Sequence, residues 1–285
     1  MRRDVLNSPK LVELKTKRRN IFVRKIALLV FGLAFIFFAL SYLSSLRQVT
    51  VNSIEVDGNK VIDTKDIQKV ANEKLSGKYF WLFSRKNVLF YPEKKIERAL
   101  ADEFKRLTNI DLEIKRGNVL VISVDERVPM YSWCGKELPV HAQTEKCYFL
   151  DDEGYMFDEA PYFSGHVYFK FYGPYEGETP EGSYFRKEKF SDLISFKGAL
   201  DTFGLKPKAL LVDDAGNGTA LLVKGKSGLK DPEIYFKIND DLENIAENLK
   251  AALDNEPLKT KIKDFYSTLL YIDLRFDNKV YYKFQ

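Results

Sequence analysis

Residues 26–46 read IALLVFGLAFIFFALSYLSSL, and everything else in the chain is arranged around this stretch. It is 21 residues long and carries no charge. At a helical rise of about 1.5 Å per residue it spans roughly 31 Å, the thickness of a bilayer's hydrocarbon core. A single Arg or Lys at mid-membrane would cost about 2.5–3.5 kcal/mol on the insertion scale, and the run has none. A buried helix of a soluble domain rarely stays apolar on every face over about six turns. The competing reading is a cleavable signal peptide, whose apolar core is about 7–15 residues and ends in small residues. Here the run is longer, 25 residues precede it, and Ala39-Leu40-Ser41 is a poor cleavage site. The expectation is a basic tail over 1–25, a retained transmembrane helix over 26–46, and folded domains beyond.

The flanks set the orientation. Residues 1–25 hold nine of the 45 basic residues and two of the 41 acidic ones, which leaves 36 basic and 39 acidic for the rest. The net charge of +4 therefore resides in the tail. By the positive-inside rule the tail is cytoplasmic and the remainder lies outside a cell membrane crossed once. The cluster Lys15, Lys17, Arg18 and Arg19 is expected on anionic lipid headgroups or against a cytoplasmic partner. A charge so placed does not point to nucleic-acid binding.

The 239 residues after the anchor suffice for one large domain or two small ones. Aromatics make up 14% of the chain, too many for disorder. From 47 to 128 the pattern reads strand, helix, helix, strand, strand. Ser53–Asp57 alternates as a half-buried strand does, and Gly58-Asn59 turns the chain. Asp63 caps a helix with Ile67, Val70, Ala71 and Leu75 on one face, and Gly77 ends it. Pro92 starts a second helix. Two strands with apolar positions at Ile110, Leu112, Ile114 and at Leu120, Ile122, Val124 are joined through Gly117-Asn118. A three-stranded sheet covered by two helices is the economical packing.

Residues 129–285 are mostly short strands. Tyr131–Trp133 and Tyr148–Leu150 flank the two cysteines, and a strand with Val167, Phe169 and Phe171 follows. A helix carries Phe190, Leu193, Ile194, Leu200 and Phe203, ended by Gly204 and Pro207. Strands at Leu210–Val212, Ala220–Val223 and Ile234–Ile238 come next, the first two joined at Asn217-Gly218. A second helix carries Leu242, Ile245, Ala246, Leu249 and Leu253. Residues 262–268 form a connector. Leu270–Phe276 and Lys279–Phe284 make a final pair of strands around Asp277-Asn278. The fold class expected is α+β: one N-terminal transmembrane helix and two outer domains, 47–128 and 129–285.

The chain carries no strong active-site motif. The two histidines, His141 and His166, sit in polar or glycine-flanked loops. No G-x-S-x-G, H-E-x-x-H or phosphate-cradling glycine loop occurs. Asp151-Asp152-Glu153 and Asp213-Asp214 could pair as glycosidase carboxylates, but they lie at strand ends beside glycine, where Asp is a routine turn former. No cofactor or metal is implied. Cys134 and Cys147 lie on the outer side, where oxidation is permitted. Either they bond across the base of a hairpin, worth about 3 kcal/mol by loop closure, or they remain two buried thiols.

The last strand, KVYYKF, combines two lysines, Lys279 and Lys283, with the strand formers Val280, Tyr281, Tyr282 and Phe284. An open sheet edge presents a row of unpaired N–H and C=O groups, and this composition suits an edge kept for one partner strand. The alternative is a strand paired on both sides. Which of the Tyr281 and Tyr282 amides would point outward is open from sequence.

Several motifs together resemble one family. The anchor is followed by V-x-G-N-x-x-I-D (Val56, Gly58, Asn59, Ile62, Asp63), then E-R-x-P (Glu126, Arg127, Pro129) and D-x-x-G-x-x-F (Asp151, Gly154, Phe157). The chain closes with I-D-L-R-F, Ile272 to Phe276. Their order and spacing on one anchored chain are similar to those of the FtsQ/DivIB family of bacterial cell-division proteins. The longer, more aromatic loop between the first two helices, Tyr79 to Tyr91, departs from that pattern. The resemblance implies an FtsQ-type POTRA domain, then a β domain of curved sheet with two packed helices. It implies a non-catalytic divisome scaffold at the septum that binds FtsB-like and FtsL-like bitopic proteins. The FtsB-like partner would add a strand beside Lys279–Phe284, with Arg275 and Phe276 just before it and Arg275 supplying a salt bridge or positioning the turn. The rival classes are an anchored outer-surface cell-wall enzyme and a POTRA module in protein export.

Overall fold

The computed structural model describes residues 9–139, 145–163, 165, 167–224, 231–276 and 279–285, with backbone only for 9–12. His141, His166 and the Asp277-Asn278 turn lie outside the described residues. The chain divides into two compact units, Met1–Glu126 and Arg127–Gln285.

The first unit begins with helix α1, Pro9–Ser44. It starts well before the apolar run and ends two residues short of Leu46, so much of the expected basic tail is helical. Lys, Arg and Leu are good helix formers, proline suits the first turn, and Glu13 pairs with Lys17 one turn on at 3.0 Å. The part from Glu13 to Ser44 is long and apolar enough to cross a membrane, and its apolar window is not buried by the rest of the protein.

Strand β1 (Ser53–Asp57) leads through Gly58 into α2 (Thr64–Leu75). Gly58 has φ +93°, and a Cβ there would lie 1.9 Å from the Val124 carbonyl oxygen, so only glycine fits. Asp63 caps α2 by accepting the Lys65 amide. A two-rung hairpin of β2 (Lys78–Tyr79) and β3 (Phe83–Ser84) follows, then α3 (Glu93–Glu103), β4 (Leu107–Lys115) and β5 (Val119–Glu126). The sheet order is β1-β5-β4, with β1 parallel to β5 and β4 antiparallel to it. Ile67, Ala71 and Leu75 of α2 and Ile96 and Leu100 of α3 are buried against Leu112, Leu120 and Ile122. The β4–β5 turn differs from expectation: its left-handed residues are Arg116 (φ +52°) and Gly117 (φ +81°), one position earlier than Gly117-Asn118. The register, which pairs Lys115 with Val119, decides this.

Glu126, the first letter of E-R-x-P, closes this unit. Its carboxylate accepts the backbone amides of Lys60, Val61 and Ile62 at 2.8, 2.9 and 3.0 Å. Burial alone would raise its pKa. These three amides outweigh burial and hold the carboxyl below its ordinary value.

The second unit holds β6 (Tyr131–Trp133), β7 (Cys147–Leu150), β8 (Met156–Ala160), β9 (Phe169–Tyr172), α4 (Phe190–Thr202), β10 (Pro207–Val212), β11 (Asn217–Leu222), β12 (Glu233–Lys237), α5 (Leu242–Asp254), α6 (Leu258–Phe265), β13 (Leu269–Phe276) and β14 (Lys279–Phe284). Among the described residues they form one nine-stranded mixed sheet, order β14-β13-β12-β11-β10-β9-β6-β7-β8. One sheet face packs on α4 and α5 through Phe196, Leu200, Leu210, Ala220, Phe236, Leu249 and Ile272. Asp241 caps α5 by accepting the amides of Glu243 and Asn244.

Three readings of this segment are corrected. Asn217-Gly218 is strand, not turn: the turn is Asp213–Gly216, where Asp213 accepts the Asn217 amide at 2.8 Å. Gly218 serves packing instead, since a Cβ there would lie 2.2 Å from the ring of Phe236. Pro207 opens β10 rather than closing a helix. The connector at 262–268 is largely helical, because Ile262 continues α6 onto the core, so three helices accompany the sheet rather than two. Strand β8 had no expectation, because MFDEA mixes burial with acidic residues.

The remaining motif residues also find structural work. Arg127 pairs with the buried Asp151 and lies over the Tyr155 ring, 4.3 Å from its centroid. Asp151 also accepts the amides of Glu153 and Tyr155 at 3.0 and 2.9 Å. Gly154 (φ +80°) lets that turn sit on Phe190, and Phe157 is fully buried.

Candidate interaction edge at the C-terminal strand

β14 lies at one end of the nine-stranded sheet and pairs only with β13 among the described strands. The direction of its amides follows from one bond. Gln285 donates its amide to the Thr268 carbonyl at 2.8 Å, so Gln285 faces β13. Backbone groups of an extended strand alternate sides. The register shifts in this pair fall on β13, where Leu269 and Tyr271 face consecutive residues Phe284 and Lys283. Lys283 and Tyr281 therefore face β13, and Phe284, Tyr282 and Val280 turn their N–H and C=O groups to the open side.

Side chains alternate the other way. Val280, Tyr282 and Phe284 pack on the helix-covered core. Lys279, Tyr281 and Lys283 point to the opposite face and are exposed. Lys261 of α6 reaches the rings of Tyr282 and Phe284, 5.7 Å from each centroid. Three lysines, Lys261, Lys279 and Lys283, thus surround the edge.

The opposite end of the sheet is treated differently. Met156 of β8 exchanges backbone hydrogen bonds with Ser183 and Gly182 at 2.9 and 2.8 Å, and Tyr155 bridges Tyr184. A covered edge offers no template, and an open one does. In the first unit, β4 carries Asp111, Glu113 and Lys115 and a bulge after Thr108, the usual means of blunting an edge.

On the outer face Arg275 forms a two-pronged ion pair with Asp273, its Nε and Nη2 at 2.9 and 2.6 Å, and lies 5.0 Å from the centroid of Tyr235. The partner of Arg275 is thus within its own strand. Burial would raise the Asp273 pKa, but the hydrogen bonds and charge of Arg275 win and hold it below the usual value. Burial, then the hydrogen bond to Glu233, pushes the Tyr235 hydroxyl up to about 12. Phe276 and Tyr281 meet edge to face at 5.2 Å, both about half exposed. A groove of about 460 Å³ opens beside them, between Asn244, Ile245 and Asn248 of α5 and Leu274, Phe276 and Val280.

Comparison with known proteins found no matching family model and no similar sequence among curated proteins. The geometry of the chain itself therefore carries the functional argument.

The other residues singled out from sequence lie elsewhere. Cys134 and Cys147 form a disulfide between the end of β6 and the start of β7. Beside it the buried Glu145 carboxylate is held by Lys170 and the Tyr172 hydroxyl. Both sulfurs are consumed in the bond, so this cluster offers no thiolate to a metal. Asp151 and Asp213 are engaged in turn hydrogen bonds. Lys15, Lys17, Arg18 and Arg19 are exposed along α1. Sequence reasoning missed Tyr235 and Lys261 as neighbours of this edge. They lie on β12 and α6, and only the tertiary fold brings them beside β13 and β14.

Proposed function

We propose that this chain is a non-catalytic, membrane-anchored division-site scaffold of the FtsQ/DivIB type, its first unit an FtsQ-type POTRA domain and its second the β domain. In this reading α1 holds the chain in the cell membrane with its basic end cytoplasmic. The outer units tie the division ring to septal wall synthesis by holding FtsB-like and FtsL-like bitopic proteins. One observation carries the reading: β14 is an open edge with the amides of Val280, Tyr282 and Phe284 directed away from the sheet, while the strand at the other end of that sheet is covered at its start, at Tyr155 and Met156.

An added strand would satisfy these groups and extend the core beside Val280, Tyr282 and Phe284. Lys261, Lys279 and Lys283 favour a strand that carries Asp or Glu. The β1-α2-α3-β4-β5 order of the first unit and the four motifs in sequence support the same family.

Photo-crosslinking in membranes tests the proposal. A crosslinking residue at Tyr281 or Lys283 should give an adduct with a small bitopic protein, and one at Lys146, beside β8, should not. Adducts from Lys146 but none from Tyr281 or Lys283 would refute it.

A further inference from the structure

The loop between α2 and α3 carries a feature that edge recognition does not use. β2 and β3 form a hairpin whose tip is Phe80-Trp81, 86% and 93% exposed. The Leu82 amide donates to the Tyr79 carbonyl at 3.0 Å, closing a four-residue turn. Both central residues lie in the left-handed region, Phe80 at φ +49° and Trp81 at φ +60°. Asn-Gly is the ordinary choice for such a turn, and bulky side chains there are strained. Two aromatic residues kept at a strained tip and left bare point to a role outside the fold. Leu89 and Phe90, later in the same loop, are 79% and 68% exposed.

The hairpin lies against the last turns of α1. Phe83 meets Phe37 edge to face at 5.5 Å. The Ser41 hydroxyl donates to the Leu82 carbonyl at 2.7 Å, and the buried Asn87 donates its side-chain amide to the Ser44 carbonyl at 3.2 Å. Ser41 stands five residues before the end of the apolar run. That places the Leu82 carbonyl, next to the tip, about 8 Å below the outer end of the run. Interfacial segments bury their apolar faces roughly 5–10 Å into the headgroup–acyl boundary, where Trp is enriched. The Ser41–Leu82 bond satisfies a tip carbonyl that would have no water at that depth. Lys78, Arg85 and Lys86 at the hairpin base carry charge suited to lipid phosphates.

We infer that the Phe80-Trp81 hairpin inserts into the outer leaflet as a second membrane contact and fixes the height and tilt of the first unit above the bilayer. This rests on α1 being a retained anchor. A lipid occupant is favoured over a protein one because the tip is already held beside the apolar run, at a depth where lipid surrounds the helix.

The test uses the full chain in vesicles of phosphatidylcholine with one-quarter phosphatidylglycerol. Part of the lipid is brominated, either near the headgroup end or near the chain terminus. The chain has two tryptophans, and Trp133 is buried. The difference in emission between wild type and Trp81→Phe therefore reports Trp81. Shallow bromine should lower that difference signal by at least about half, deep bromine should lower it less, and aqueous iodide should leave it unchanged. Iodide quenching without bromolipid quenching, on a chain that carbonate does not extract, would overturn the insertion alone. Extraction by carbonate would overturn the anchor and the insertion with it. Protection of Trp81 only after a bitopic protein is added would overturn it in favour of a protein surface.

Discussion

Proline at position 282 separates edge recognition from every other way β14 could bind a partner. The Tyr282 amide is the middle of three that face outward, by alternation from the Gln285–Thr268 bond. Tyr282→Pro removes that donor, worth about 0.5–1.5 kcal/mol net, and leaves the partner's carbonyl unsatisfied, about 1–3 kcal/mol more. The sum, about 1.5–4.5 kcal/mol, corresponds to a loss of roughly 10- to 1,600-fold in affinity. The ring of Tyr282 also packs on the core, so the proper reference is Tyr282→Ala, which loses the ring and keeps the amide. Tyr281→Pro supplies the converse. Its amide faces β13, so the change breaks the sheet's own ladder and should lower the melting temperature. Binding of the purified outer region to an immobilised FtsB-like segment, with a melt on each variant, reads both effects. If folded Tyr282→Pro binds as tightly as Tyr282→Ala, no strand is added at this edge and the reasoning fails.

The other expectations concern stability and topology. Replacing Cys134 and Cys147 together by Ala opens a loop with sequence separation 13, so the second unit should lose about 3 kcal/mol in denaturant melts, and an unchanged midpoint would refute that. Gly218→Ala forces a methyl to within 2.2 Å of the buried Phe236 ring and should cost about 1–3 kcal/mol by the same assay. Glu126 has a depressed folded pKa, so its contribution is complete above its unfolded value near 4.5 and is lost as pH falls through the lower folded value. Glu126→Gln should flatten that part of the stability–pH curve of the first unit, and an unaltered curve would contradict the assignment. Protease added to the outer face should cleave beyond residue 47 and spare the basic end, and labelling of a cysteine at position 8 from outside would reverse the orientation.

How much was legible in the residues varies with the range of the interaction. The apolar run announces a membrane-length helix because hydropathy and rise are local properties. The α2 cap at Asp63 and the alternation of β4 and β5 are likewise written in a few neighbouring residues. The basic stretch before Ile26 was missed as helix because charge patterning was read as orientation, while the propensity of Lys, Arg and Leu decides the backbone. Asn217-Gly218 looked like a turn because the dipeptide is a strong local signal. The Phe236 ring, 18 residues further on, requires the glycine inside a strand instead.

The candidate site shows the same divide. Sequence alone determined that KVYYKF forms strong strand with partly protected ends, because β propensity and charge belong to the residues themselves. Only the tertiary structure decided that this strand is the sheet's end, that the start of the strand at the opposite end is covered by residues 182–184, and that Tyr282 rather than Tyr281 turns its amide outward. Those facts depend on strand order and register. They are set by which apolar faces bury one another across the whole domain, and no window of neighbouring residues contains that information.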